Sequence, residues 1–200
     1  SPEGTSFSCD SILKTGTLEN QIMNQDLAQV ASHLKDLQQA GIPVLWRPLH
    51  EAAGNIPNGG SAWFWWGTAG AEQFKALWQY VFNYMKNAGV NNLLWVWTGD
   101  ENWADWYPGD QYVDFVGVDI YNQKDASAIA TKFNNMQYTY LHKMMTMSEC
   151  GAIANISDIW NAGGCWSWFM PWYGDYSTGV PQASDDWWTD AMKFDHTVAR

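Results

Sequence analysis

Two glutamates in this 200-residue chain stand where acid–base or nucleophilic chemistry is usually placed. Glu51 ends the stretch Trp46-Arg47-Pro48-Leu49-His50-Glu51, and Glu149 lies near the end of Lys143-Met144-Met145-Thr146-Met147-Ser148-Glu149. Each follows a run of mostly apolar residues that turns abruptly polar, the pattern of a buried parallel strand reaching its carboxyl end. Two carboxyl groups at the ends of different strands suit glycosidic bond cleavage: one protonates the departing oxygen, while the other attacks the anomeric carbon or activates water. For retention of configuration the carboxyls must approach to about 5–5.5 Å, and for inversion about 6.5–9.5 Å. The competing structural roles are an ion pair between Glu51 and Arg47, and a cap or salt bridge for Glu149. His50 reads as an orienting or substrate-contacting group, because no Ser or Cys motif accompanies it. Tyr121, closing Val118-Asp119-Ile120-Tyr121, is placed to hold a carboxylate or a ligand, with Asp119 as an inner group satisfied by a neighbouring strand. Asp100 and Glu101 read as solvated loop charges.

Aromatic residues supply the second signal. Fifteen tryptophans, nine tyrosines and eight phenylalanines exceed what one strand or helix face can bury in clusters such as Trp63-Phe64-Trp65-Trp66. Trp95 and Trp97 read as core, whereas Trp63, Trp66 and Trp172 lie just past strand ends. Flat aromatic faces in a cleft suit ligands with flat apolar faces of their own, such as sugar rings. A formal charge of -11 argues against nucleic acid or phosphate ligands, which need a positive surface. No apolar run approaches the ~20 residues of a membrane span. Cys9, Cys150 and Cys165 are odd in number and lack zinc-type spacing. The pair His50-Glu51 fails the His-Glu-x-x-His pattern at Gly54. Neither a metal nor a cofactor is expected.

The elements that must position these groups alternate along the chain. Residues 1–23 read as loop. A helix starting at Asn24, with Asn24 as its cap, buries Leu27, Val30, Ala31, Leu34 and Leu37 and stops at Gly41. A strand over 42–46 follows, then a helix over 71–87 with Phe74, Leu77, Trp78, Val81, Phe82 and Met85 on one face. Strands over 92–98 and 115–121, a helix over 127–137 and a strand over 143–151 come next. A short helix over 155–162, a strand over 165–173 and a helix from Asp185, packing through Trp187, Trp188, Ala191, Met192 and Phe194, complete the series. Met144, Met145 and Met147 read as core filling. Alternation of this kind predicts right-handed βαβ units and a parallel sheet. Four of the five strands end in a candidate polar group, and convergence of strand ends on one site is a barrel trait.

Five motifs, each at a strand end and in this order, resemble glycoside hydrolase family 26. They are Arg-Pro-Leu-His-Glu at 47–51, Trp-Phe-Trp-Trp-Gly at 63–67, Val-Asp-Ile-Tyr at 118–121, Ser-Glu-Cys-Gly at 148–151 and Phe-Met-Pro-Trp at 169–172. The resemblance implies an α/β fold, the (β/α)8 TIM barrel, and retaining endo-hydrolysis of β-1,4-mannosidic bonds in mannan, glucomannan or galactomannan. It implies Glu51 as general acid/base and Glu149 as nucleophile, with His50 orienting groups near the scissile bond and Tyr121 bonding the nucleophile. Trp172 becomes the floor of the -1 subsite, and Trp63, with Trp66 nearby, a sugar contact. A mixed-linkage glucanase or xylanase on the same scaffold, or a non-catalytic carbohydrate-binding protein, are the alternatives.

A barrel of this kind takes about 250 residues. The motifs here match only its strands four to eight, so residues 1–200 are expected to be a partial catalytic domain whose partner is the N-terminal part of the barrel. Alone, five strands leave open edges, and the piece is expected to be neither stable nor active. The opening Ser1-Pro2-Glu3-Gly4 lacks the basic and apolar regions of a signal peptide. Secretion, or placement in the periplasm or at the cell surface, is implied by the family and its polymeric substrate.

Overall fold

The structure, a computed structural model, describes residues 4–174 and 178–198. Among them lie six α-helices and five strands in largely alternating order, and the strands follow one another in the sheet as β1-β2-β3-β4-β5. The chain divides into two compact units, Ser1–Phe115 and Val116–Arg200.

In the first unit, two elements depart from expectation. A short helix, α1 (Cys9–Leu13), stands where loop was expected, capped by the Ser8 hydroxyl and burying Cys9 and Ile12. The long helix α2 (Leu18–Gln39) begins six residues before Asn24, because the Thr17 hydroxyl accepts the Asn20 N–H and caps it there. Asn24 instead lies inside the helix and accepts a hydrogen bond from the Tyr80 hydroxyl. Leu27, Ala31 and Leu34 are buried at the expected spacing, but Val30 and Leu37 face solvent. Strand β1 (Val44–Trp46) is shorter than expected. Pro43 has no N–H to offer the ladder, so pairing begins with the Val44 N–H donated to the Asn92 carbonyl.

Helix α3 (Ala71–Asn87) buries Phe74, Leu77, Trp78, Val81 and Met85, with Phe82 half-buried. Strand β2 (Leu93–Thr98) runs parallel to β1, with Val44, Leu45 and Trp46 opposite Leu93, Leu94 and Trp95. The opposed Trp46 and Trp95 rings stack at 5.6 Å with planes 10° apart. Trp95, Val96 and Trp97 are all buried, so both faces of β2 are covered.

In the second unit, β3 (Phe115–Tyr121) leads to α4 (Ala126–Thr139), where Asp125 accepts the Ser127 and Ala128 N–H groups as cap. Strand β4 (Met144–Gly151) is buried from Met145 onward, while Met144 is exposed and fills no core. Helix α5 (Ile156–Asn161) has no cap from Asn155, and Asp190 takes over. Its carboxylate accepts the Ser157 N–H at 3.0 Å and the Ser157 hydroxyl at 2.5 Å. Strand β5 is confined to Phe169–Pro171 and pairs parallel with β4. Residues 165–168 approach it irregularly, with Trp166 buried edge-on against Phe133. Helix α6 (Asp185–Lys193), capped by Ser184, buries Trp187 and Ala191. The Trp187 indole donates to the Ala154 carbonyl, whereas Trp188 and Met192 remain exposed.

Candidate active site

The polar groups sit where backbone strain is concentrated. Among the described residues, five non-glycine positions have positive φ, and four of them lie just beyond strand carboxyl ends. Leu49 (φ 50°) and Glu51 (φ 51°) follow β1, Asn122 (φ 56°) follows β3 and Ala152 (φ 51°) follows β4. Left-handed backbone costs an L-residue about 1–2 kcal/mol, so surrounding contacts must hold it, as they commonly do at functional sites.

In the first unit those contacts come from the aromatic loop. The Glu51 carbonyl accepts the Gly54 N–H at 3.0 Å, closing the turn, and Ala52 and Ala53 behind it are buried. The Trp66 indole N–H donates to the His50 carbonyl at 2.9 Å. The His50 ring lies 4.8 Å from Phe64 and 5.8 Å from Trp66, which stack on one another at 4.4 Å. Gly67 is buried so closely that a Cβ there would stand 1.8 Å from the Ala52 carbonyl oxygen. Gly54, with φ 52°, leaves a Cβ only 2.7 Å from the Trp63 nitrogen. Any larger residue at either position would push the two loops apart. Trp63 keeps 41% of its surface exposed, in keeping with a ligand-facing ring. Arg47 donates from Nη1 to the Thr98 hydroxyl at 3.2 Å, tying the exits of β1 and β2. Asp100 and Glu101, expected as solvated charges, are half-buried and engaged.

In the second unit the key feature is an irregularity in β4. Met147 lies opposite Phe169 and Cys150 opposite Pro171, so three steps on β4 match two on β5. Regular alternation would send Ser148 and Glu149 to opposite faces. The extra residue re-aims one of them, as bulges beside functional sites do. Ser148 donates to Asp119 Oδ1 at 2.7 Å, and the Tyr121 hydroxyl donates to Glu149 Oε2 at 2.8 Å. Asp119 and Tyr121 are two positions apart on β3, so adjacent residues of β4 meet groups on one face of β3. Gly117 makes this possible, since a Cβ there would stand 2.5 Å from the Ser148 Oγ. Glu149 retains only 6% exposure, and its carboxylate accepts from the neutral Tyr121 hydroxyl. Trp172 is 39% exposed and donates its backbone N–H to the Cys150 carbonyl at 2.8 Å, fixing its backbone beside the Glu149 segment.

His50, Glu51, Trp63 and Trp66 thus belong to the first unit, and Tyr121, Glu149 and Trp172 to the second. Within the first, Trp66 and His50 are joined directly; within the second, Tyr121 and Glu149 are. The reading of Asp119 as an inner group satisfied by a neighbouring strand agrees with its bond from Ser148. Two participants escaped the sequence reading. Phe64 was seen only as part of a cluster, although its two-residue spacing from Trp66 lets both rings meet His50. Ser148 entered the sequence reading only as the first residue of the Ser-Glu-Cys-Gly motif; its bond to Asp119 across the small Gly117 has no local signal. All three cysteines are free thiols; Cys9 and Cys150 are buried and Cys165 is exposed. Burial first, and the Asp119 charge in addition, push the Cys150 thiol up to about 12, against a lowering hydrogen bond at Met170. Among the described residues no cluster of His, Cys, Asp or Glu has metal-ligand geometry, and no helix is long and apolar enough to cross a membrane.

Comparison with known proteins identifies the family. The family model for glycosyl hydrolase family 26 matches residues 2–193. Mannan endo-1,4-beta-mannosidase B of Piromyces sp is 35% identical over 94% of the chain, which spans 30% of that protein's length. Among solved structures, the GH26 domain of an endo-beta-mannanase/endo-beta-glucanase from Prevotella bryantii superposes with a TM-score of 0.88 at 41% identity. That match covers 96% of this chain and 61% of the solved one. A beta-mannanase from a symbiotic protist of the termite Reticulitermes speratus, complexed with gluco-manno-oligosaccharide, matches at 41% identity with a TM-score of 0.82. It is covered over 58% of its length, against 97% of this chain. The fold is therefore part of a (β/α)8 barrel, and the chain belongs to glycosyl hydrolase family 26.

Proposed function

We propose that these residues supply strands four to eight, with their helices, of a retaining endo-β-1,4-mannanase acting on mannan, glucomannan and galactomannan. The observation that carries the reading is the buried Glu149 carboxylate, presented at the end of β4 and held by the Tyr121 hydroxyl at 2.8 Å. That is the posture of a pre-aimed nucleophile, in a family whose relatives bear mannanase names. The strands that close the barrel lie outside these 200 residues, in line with the share of each relative that is matched. Mannan is a polymer too large to enter a cell, so the complete enzyme works outside the cytoplasm.

The reaction runs in two displacements. Glu149 attacks the anomeric carbon and forms a glycosyl ester while the glycosidic C–O bond breaks, and the departing oxygen takes the proton of Glu51. Glu51, now a carboxylate, removes a proton from water as that water attacks the same carbon and Glu149 leaves. His50 orients groups at the scissile bond, Trp172 forms the floor beneath the reacting sugar, and Trp63 contacts the sugar beyond it. The gluco-manno-oligosaccharide held by the termite-symbiont protein supports glucomannan as a substrate here.

The test joins this sequence to the strands that close the barrel and compares Glu51→Ala with Glu149→Ala in the presence of azide. A β-glycosyl azide from the first variant and an α-glycosyl azide from the second would establish both roles. Azide products of the same anomer from both would overturn the assignment. Faster cleavage of barley β-glucan than of mannan would replace the substrate.

A further inference from the structure

We infer that Trp66 is a positioning residue for Glu51, acting through the peptide group that joins His50 to Glu51; the inference rests on the acid/base role proposed above. The carbonyl that accepts the Trp66 indole N–H at 2.9 Å belongs to His50, and thus to the same rigid peptide plane as the Glu51 nitrogen. Rotation about the Glu51 N–Cα bond is measured against that plane. With the next peptide group held by the Gly54 N–H on the Glu51 carbonyl at 3.0 Å, fixing this plane fixes the direction in which the Glu51 side chain leaves the backbone. The need for such a fixture is visible in the backbone: Leu49 and Glu51 both stand in the left-handed region, at φ 50° and 51°. Left to itself, this turn would relax toward ordinary conformations and carry the carboxyl with it.

The Trp66 indole is itself held by its neighbours. Phe64 stacks on it at 4.4 Å with planes 9° apart, and Trp65 meets it edge-on at 5.6 Å. The Trp66 carbonyl accepts a weak bond from the Cys9 thiol at 3.6 Å, and Phe7 packs against Trp65 at 5.4 Å, so α1 braces the loop from behind. Gly67 brings the loop backbone against Ala52, the residue after Glu51. The indole N–H is committed to the protein backbone, and one ring face is covered by Phe64. Its effect on catalysis passes through Glu51.

A positioning role predicts a dependence on the leaving group. Trp66→Phe keeps an aromatic ring but removes the donor. In the completed barrel its kcat/KM on a manno-oligosaccharide, whose departing oxygen needs a proton, is expected to fall about tenfold, toward the ~100-fold that a 1 Å misplacement costs. On a dinitrophenyl β-mannobioside, whose departure needs no proton, glycosylation should change by less than about twofold. Trp66→His, which retains a ring N–H, should recover part of the loss and keeps the test alive if the Phe variant does not fold. Equal losses on both substrates, or no loss on either, would overturn the inference. Glu51→Ala separates this from failure of the underlying reading: if that variant loses both substrates equally, Glu51 is not the acid, whatever Trp66 does.

Discussion

Replacing Tyr121 by Phe removes one oxygen from the site and leaves the ring in place. That oxygen donates to Glu149 Oε2 at 2.8 Å, and the carboxylate is almost fully buried. Hydrogen bonds to charged groups contribute roughly 1.5–3 kcal/mol. The bond is strongest when Glu149 carries its full charge, absent when Glu149 is a glycosyl ester, and intermediate in the two transition states that connect them. Its loss therefore raises the free enzyme more than the first transition state, and raises the second transition state relative to the ester. With about half the charge restored there, breakdown of the ester should slow by roughly 0.75–1.5 kcal/mol, which is about 4- to 13-fold. Formation of the ester should be unimpaired. The expected signature of Tyr121→Phe is thus a lower kcat, a KM lowered with it, and kcat/KM held near the parent value on the pH plateau. With a dinitrophenyl substrate, stopped-flow absorbance should show a burst equal to the enzyme concentration. A fall in kcat/KM equal to that in kcat, with no burst, would refute the reasoning.

Gly67→Ala forces a methyl against the Ala52 carbonyl, where backbone rather than a flexible side chain must yield. It should cost about 1–3 kcal/mol in urea denaturation and reduce activity more than a surface Gly→Ala, such as at Gly4, does. Asp190→Ala removes the acceptor of two Ser157 hydrogen bonds that begin α5. A destabilisation of about 2–3 kcal/mol is expected, with Asp190→Asn recovering part of it. At neutral pH a thiol reagent should label Cys165 rapidly and leave Cys9 and Cys150 unlabelled until denaturation, since burial pushes those thiols up to about 11 and about 12. The sign of the pH effect follows: the folded thiols keep protons that the unfolded chain releases near 9.0. Their contribution to stability is complete below that pH and falls as pH rises toward about 12. A urea midpoint that declines above pH 9.0 less steeply in Cys150→Ala than in the parent would verify it.

What could be read from sequence followed from local signals that tertiary structure did not override. Helix α3 carries five buried apolar positions at helical spacing between Gly70 and Gly89, and it runs from Ala71 to Asn87 as its pattern required. Strand β3 is equally plain, an apolar run interrupted by Asp119 and ended by Tyr121. Helix α2 was misplaced because two cap residues competed. Thr17 caps the helix while Asn20 and Asn24 lie inside it and bond the Tyr80 hydroxyl, 60 and 56 residues along the chain. Such long-range partners leave no trace in a window of neighbours. The same holds for the site. Glu51 and Glu149 were visible as polar residues ending apolar runs. The bulge that turns Ser148 and Glu149 toward one face was hidden, because β4 is buried throughout its last seven residues and no alternation remains to be interrupted. Helix α6 shows the opposite failure, where Trp188 and Met192 look like core yet lie on the exposed side.

The Trp46–Trp95 stack has a consequence in optics. Two indoles with nearly parallel planes and centroids 5.6 Å apart couple their electronic transitions. The far-ultraviolet circular dichroism of this protein should therefore carry an exciton couplet superimposed on the helical bands, and a helix content fitted without it will be wrong. Trp65–Trp66 and Trp187–Trp188, at 5.6 and 5.4 Å, add couplets of their own, so the part that Trp46→Phe removes is the one that belongs to the opposed residues of β1 and β2. That part gives a native signal, free of any added dye, for the integrity of the strand pair from which the Glu51 turn emerges.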